Sequence, residues 1–208
     1  MNFSLTIGVL ALQGSYSAHL SSLKKLSVNA KLIRQANQLA HIDALIIPGG
    51  ESTTMLEILV NKGSFWSELQ QFALRKPCLG TCAGAILLAS SVENPTQDCL
   101  GALDITVKRN AYGRQLQSSI HTGRCTPDNC NLELVFIRAP KIVRVGPEVE
   151  VLAEHEGNPV WVRQGQRMAT TFHPELTSDL KVYRMWIESI KRDTLDGYRG
   201  GVALALSR

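Results

Sequence analysis

The sequence has no apolar run near the ~18–20 residues that span a bilayer; its longest, such as Leu5–Leu12, stop far short. A secretory reading of that run also fails. The first basic residue, Lys24, lies downstream of it, so the cationic leader segment is missing. There is no large excess of one charge either: 22 Lys and Arg against 18 Asp and Glu leave a formal +4. The basic residues are scattered, and pairs such as Lys24-Lys25 and Lys191-Arg192 lie in helix-like segments as solvated faces do. Five cysteines (Cys78, Cys82, Cys99, Cys125 and Cys130) form no C-x-x-C spacing, which argues against a zinc site. Cys125 and Cys130 are close enough in sequence to pair, but they are expected as reduced loop residues. No phosphate loop with its lysine is present, and no G-x-G-x-x-G follows a strand, so a nucleotide site is unsupported. Metal, cofactor, membrane and nucleic acid are therefore not expected, and the reading is a cytoplasmic protein.

What is present is a globular composition, 44% hydrophobic and 19% charged over 208 residues. A chain of this size buries roughly 70% of its unfolded surface without disulfides. Leu5–Leu12 reads as a strand covered on both faces, because it is apolar throughout rather than alternating. Leu20, Leu23 and Leu26 recur at helical spacing, and strands follow at Ala30–Arg34 and Ala44–Ile47. A helix is expected after Pro48-Gly49-Gly50, with Thr54 and Glu57 spaced as a capping box. Another covers Ser64–Leu74, then come a short strand to Leu79 and a helix from about Ala83. This alternation predicts an α/β fold with a central, mostly parallel sheet flanked by helices. From Leu103 to Thr171, strand-like pieces (Ile105–Lys108, Leu134–Ile137, Val149–Ala153, Val160–Val162 and Met168–Phe172) predict additional antiparallel strands that extend or cover the sheet. A last helix is expected over Ser178–Arg192. The whole of residues 1–208 reads as a single domain, with a loose tail from about 193 to 208.

Three segments carry chemistry. Gly80-Thr81-Cys82-Ala83-Gly84, between a strand and an apolar helix, has the shape of a nucleophile elbow with sulfur in place of oxygen. Its glycines are needed where Cβ atoms would strike the neighbouring strand or helix, and the helix N-terminus favours a thiolate. Phe172-His173-Pro174-Glu175 follows a strand. With side chains two apart on one face, Glu175 can orient the imidazole of His173 towards a thiol. The other four histidines (His19, His41, His121 and His155) have no comparable neighbours. Pro48-Gly49-Gly50-Glu51-Ser52-Thr53-Thr54 links a strand to a helix, and its Gly-Gly turn can expose backbone N–H groups as an oxyanion hole.

Together these segments resemble the class I, triad-type glutamine amidotransferases. Three further stretches narrow the likeness: Ile7-Gly8-Val9-Leu10-Ala11-Leu12-Gln13-Gly14, Arg109-Asn110-Ala111-Tyr112-Gly113-Arg114-Gln115 and Val135-Phe136-Ile137-Arg138-Ala139-Pro140. With them the chain resembles, from residue 5 to about 192, the family of glutaminase subunits of pyridoxal 5′-phosphate synthases. The resemblance implies a flavodoxin-like fold, Cys82 as nucleophile, and His173 and Glu175 completing the triad. It implies that Gly50, Glu51, Ser52, Arg109, Ile137 and Arg138 bind L-glutamine. It also implies an oxyanion hole built from the Gly49-Gly50 peptide and Ala83 and, as partner, a (β/α)8-barrel synthase subunit. From the residues alone, Arg109 or Arg138 suits the α-carboxylate of a free amino acid and Glu51 its α-ammonium. The alternatives are a different triad-class glutaminase, such as that of imidazole glycerol phosphate synthase, and a catalytically silent docking subunit. The Arg109–Gln115 segment favours the vitamin B6 assignment over the first, and intact Cys82, His173 and Glu175 speak against the second.

Overall fold

The structure, a computed structural model, describes residues 5–111, 118–126 and 130–192. Its first half alternates strands and helices: β1 (Thr6–Leu10), α1 (Tyr16–Lys25), β2 (Asn29–Ile33), β3 (Ala44–Ile47), α2 (Ser52–Val60), α3 (Phe65–Arg75), β4 (Cys78–Thr81) and α4 (Ala83–Leu88). Then follow β5 (Ala89–Glu93), β6 (Leu103–Lys108), β7 (Ser118–Cys125), β8 (Cys130–Ile137), β9 (Lys141–Val145), β10 (Glu150–His155), β11 (Asn158–Gln164) and β12 (Arg167–Thr170). A final helix, α5, spans 181–192.

Nine strands form one sheet in the order β2-β1-β3-β4-β12-β11-β10-β7-β8. The pairings from β2 through to β12 are parallel, and those from β12 through β11, β10 and β7 to β8 are antiparallel. In the parallel half the side chains divide between two cores, as a period of two requires. Leu45 and Ile47 pack in the cluster that holds Met55 and Leu59 of α2, Leu69 of α3 and Leu87 of α4. Ala44 and Ile46 pack in the other, with Leu23 of α1 and Val182, Trp186 and Ile190 of α5. Both faces are therefore covered, which is why β3 and β4 are buried at every position. Edge strand β2 instead alternates exposed and covered residues.

Three strands are not legible in the sequence: β5, β7 and β9. The apolar helix signal around Ala85–Leu88 runs directly into β5, and β7 (SSIHTGRC) is too polar to stand out. β5, β6 and β9 make a separate three-stranded sheet, with β5–β6 parallel and β6–β9 antiparallel. The cap of α2 also differs from expectation. Glu51, not Thr54, is the capping side chain, accepting from Thr53 N–H at 3.3 Å and Thr54 N–H at 2.7 Å. Cys125 and Cys130 are not reduced loop residues but a disulfide. The antiparallel β7–β8 register sets them directly opposite, with Cα atoms 5.3 Å apart, inside the range a disulfide spans. The expected loose tail from about 193 lies outside the described residues, as does Tyr112–Gln115.

Candidate active site

The candidate residues gather at the carboxyl edge of the parallel strands, where open α/β sheets place their ligand sites. The loop after β1 supplies Gln13 and Ser15, the loop after β3 supplies Gly49–Glu51, the turn after β4 supplies Cys82, and the segment after β12 supplies His173 and Glu175. Arg109 follows β6, while Ile137 ends β8 and Arg138 follows it.

Cys82 sits between β4 and α4 with φ +48° and ψ −103°, a conformation that non-glycine residues rarely hold. Its N–H donates to Thr170 O at 2.8 Å, and its carbonyl accepts from Ala85 and Ile86 N–H, so strand and helix fix it from both sides. The glycine requirement is visible on each flank. A Cβ on Gly80 would lie 2.5 Å from Gly84 O, and one on Gly84 would overlap the Ile47 carbonyl.

His173 donates its backbone N–H to Val135 O at 2.9 Å, which ties the segment to β8. Pro174–Leu176 forms a single 3₁₀ turn with His173 as its N-cap. The expected shared face of an extended strand is thus replaced by a turn, and Glu175 reaches back along it: Glu175 Oε1 lies 2.7 Å from His173 Nδ1. Ser15 Oγ donates to the same oxygen at 2.6 Å. Burial alone would push His173 below its ordinary value. Hydrogen bonding to Cys82 and Glu175, and their negative charges, outweigh this and raise it from 6.5 to about 10. Burial likewise works against charge on Glu175, but the His173 hydrogen bond, the nearby His19 and the Ser15 hydroxyl keep its carboxyl below the usual range. The consequence is an imidazolium poised between a sulfur and a carboxylate.

A cavity of about 220 Å³ opens beside this pair. Its lining includes Cys82 and His173 together with Gly50, Glu51, Ser52, Arg109, Ile137 and Arg138, every residue that the sequence suggests for glutamine. Gly49 lies behind them, close enough that a Cβ there would come 2.8 Å from His173 Nδ1. Arg109 and Glu51 are not independent. Arg109 donates to Thr53 Oγ1 at 2.8 Å and to Glu51 Oε1 at 3.3 Å, so the guanidinium braces the start of α2 while facing the cavity. Three residues that motif reasoning misses belong to the frame of the site. Gln13 Oε1 accepts the Glu51 N–H at 3.0 Å. Ser15 N–H donates to the Gly49 carbonyl at 3.0 Å and so tethers the Gly49-Gly50 peptide. His19 lies 3.6 Å from Glu175. Gln13 belongs to the Ile7–Gly14 stretch, which carries the likeness without assigning it a role; for Ser15 and His19 the one available signal is position, after β1 at the same sheet edge as the elbow. Cys78, by contrast, is fully buried and its thiol is pushed up to about 12 by that burial, which makes it inert.

Residues 9–192 match the SNO glutamine amidotransferase family. The chain belongs to that family. It is 51% identical over 187 residues to the pyridoxal 5′-phosphate synthase subunit PdxT of Koribacter versatilis, covering 90% of this chain and 96% of that one. It is 45% identical over 190 residues to the PdxT of Solibacter usitatus, covering 88% and 98%. A crystal structure of a glutamine amidotransferase superposes with a TM-score of 0.83 at 41% identity, over 89% of this chain and 98% of the other. The structure of PurLQS from Thermotoga maritima shares the fold alone, at 14% identity and a TM-score of 0.67 over 92% of this chain and 100% of that one. The chain's reaction is thus hydrolysis of the L-glutamine side-chain amide.

Proposed function

We propose that Cys82, His173 and Glu175 hydrolyse L-glutamine to L-glutamate and ammonia through a thioester, and that the ammonia feeds a synthase subunit making pyridoxal 5′-phosphate. One observation carries the reading. A cysteine in a strained strand-to-helix turn lines the same cavity as an imidazole whose Nδ1 is 2.7 Å from a buried carboxylate.

The Cys82 thiolate attacks the side-chain carbonyl carbon, forming a C–S bond. The Gly49-Gly50 peptide and the Ala83 N–H serve the oxyanion. His173 then gives its proton to the departing nitrogen as the C–N bond breaks, because ammonia leaves far more readily than an amide anion. Water adds to the thioester with His173 as base, the C–S bond breaks, and glutamate leaves with the thiolate restored. Glu175 keeps the imidazole in place and stabilises its cation throughout. Gly50, Glu51, Ser52, Arg109, Ile137 and Arg138 hold the amino acid, Arg109 or Arg138 facing the α-carboxylate and Glu51 the α-ammonium.

Ammonia released to neutral water becomes ammonium and ceases to be a nucleophile. A (β/α)8-barrel synthase docked over the mouth keeps it reactive, and the whole chain acts as one glutaminase unit in the cytoplasm. No helix among the described residues is long and apolar enough to cross a membrane. The test is glutamate release by wild type and Cys82→Ala, with and without the synthase. Wild type is expected to turn over in the complex and Cys82→Ala to be inactive. Cys82→Ala at wild-type rate would overturn the scheme.

A further inference from the structure

Beneath the triad lies a second row of polar groups that the scheme above does not use. His19, on α1, is fully buried. Its Nδ1 is 2.8 Å from the hydroxyl of Tyr183 on α5, and its Nε2 is 3.2 Å from Thr81 Oγ1. The same Nε2 lies 3.6 Å from Glu175 Oε2. That oxygen is buried and has no hydrogen-bond partner among the described residues, whereas Oε1 takes both His173 and Ser15. His19 is thus the polar group that faces the inner oxygen of the triad carboxylate.

The protonation pattern follows from what surrounds the ring. Burial lowers His19 from 6.5 to about 4, against the pull of Glu175 and with the repulsion of His173, so the imidazole is neutral at working pH. A neutral ring has one N–H. Nε2 faces an ionised carboxylate at 3.6 Å, which only accepts, and the Thr81 hydroxyl at 3.2 Å, which can accept, so the proton belongs there. Nδ1 is then the acceptor and Tyr183 the donor. The Tyr183 phenol is suited to that role, since burial and the nearby Glu175 charge push its ionisation far up, with Ser22 beside it. Tyr183 therefore selects the His19 tautomer, as Glu175 does for His173 one step further out.

We propose that His19 is a positioning residue for glutamine hydrolysis: locked by Tyr183 as the Nε2–H tautomer, it covers Glu175 Oε2 and fixes the carboxylate against His173. The inference rests on the triad assignment above. A buried histidine that merely filled the core would affect folding but not the balance of the hydrolytic steps. One that holds Glu175 acts on kcat and on the pH limb governed by His173, and leaves glutamine affinity alone.

The test compares His19→Leu, His19→Gln and Tyr183→Phe, each in the synthase complex, by glutamate release from about pH 6 to pH 10 with thermal unfolding alongside. His19→Leu is expected to lower kcat about tenfold at unchanged KM, as loss of one polar contact to a charged group implies. The alkaline limb of kcat/KM should move to lower pH. His19→Gln, which keeps a donor near the Nε2 position, should recover kcat to within about threefold of wild type. Tyr183→Phe, remote from substrate, should cost roughly two- to tenfold in kcat, again at unchanged KM. Should His19→Leu fail to fold, Tyr183→Phe decides. Wild-type kcat and pH limb in either folded variant, or a His19→Leu loss that His19→Gln does not relieve, would overturn the proposal. Wild type that releases no glutamate in the complex would instead refute the underlying glutaminase reading.

Discussion

Substituting Glu175 by Gln removes the charge that supports the imidazolium while keeping the side chain's size. In the native site both carboxylate oxygens face donors: Oε1 takes His173 Nδ1 at 2.7 Å and Ser15 Oγ at 2.6 Å, and Oε2 faces His19 Nε2 at 3.6 Å. A glutamine amide has one oxygen and one NH₂, so either orientation sets a donor against a donor. The magnitude follows from His173. Its rise from 6.5 to about 10 favours the imidazolium by roughly 5 kcal/mol. Cys82 and Glu175 share that effect and must also offset burial. An equal share leaves Glu175 at least ~2–3 kcal/mol, or about a hundredfold in turnover. The assay is steady-state glutamate release by the synthase-bound variant across pH, with thermal unfolding as control. The expected result is a folded protein with kcat about a hundredfold lower and an alkaline limb displaced to lower pH. Turnover within about twofold of wild type at an unmoved limb would refute the reasoning and remove Glu175 from the triad.

Three further outcomes follow from other contacts. Gly84→Ala gains about 1 kcal/mol of helix propensity, but its Cβ overlaps the Ile47 carbonyl, which is backbone and cannot turn aside. A Tm lowered by about 5 °C or more is expected, and an unchanged Tm would show that β3 and α4 can separate freely. Arg109→Ala loses the bonds to Thr53 and Glu51 at the cavity wall. It should raise KM for glutamine roughly tenfold with a smaller effect on kcat; an unaltered KM would remove Arg109 from substrate binding. Stability should also fall on both sides of neutrality. His19 is depressed to about 4, so between pH 6.5 and 4 the unfolded chain takes up the proton first and roughly 3 kcal/mol is lost. The contribution of His173, raised to about 10, is complete below pH 6.5 and is lost as pH climbs through 10. Urea midpoints of wild type and His19→Gln across this range check the acid arm, which the variant should flatten.

Much of the parallel half is legible because buried strands announce themselves. Ala44–Ile47 has the boundaries its apolar run predicts, and β1, β2 and β4 lie within a few residues of theirs. Strands that are covered on one face, or continuous with a helix, carry no such mark, and β5, β7 and β9 escape for that reason. The Cys125–Cys130 bond escapes because five residues of separation say nothing of register, whereas an antiparallel hairpin sets the pair face to face.

Local sequence was enough to suggest the chemistry. A glycine-flanked cysteine at a strand-to-helix turn and a His-Pro-Glu are short patterns, and nearby sterics make the first of them specific: Gly84 is there because no Cβ fits beneath Ile47 O. The partnership between segments came from long-range packing. Cys82 meets His173 because β4 and β12 run parallel and adjacent, with Thr81 paired to Thr170. Ser15, just before α1, and His19, on it, reach the Glu175 carboxylate, and Tyr183 on α5 holds His19; Leu23 of α1 and Val182 of α5 share one core on the same face of that sheet. A carboxylate's second oxygen has no preference in sequence for one distant histidine. That choice is made only when burial removes water and leaves His19 opposite it.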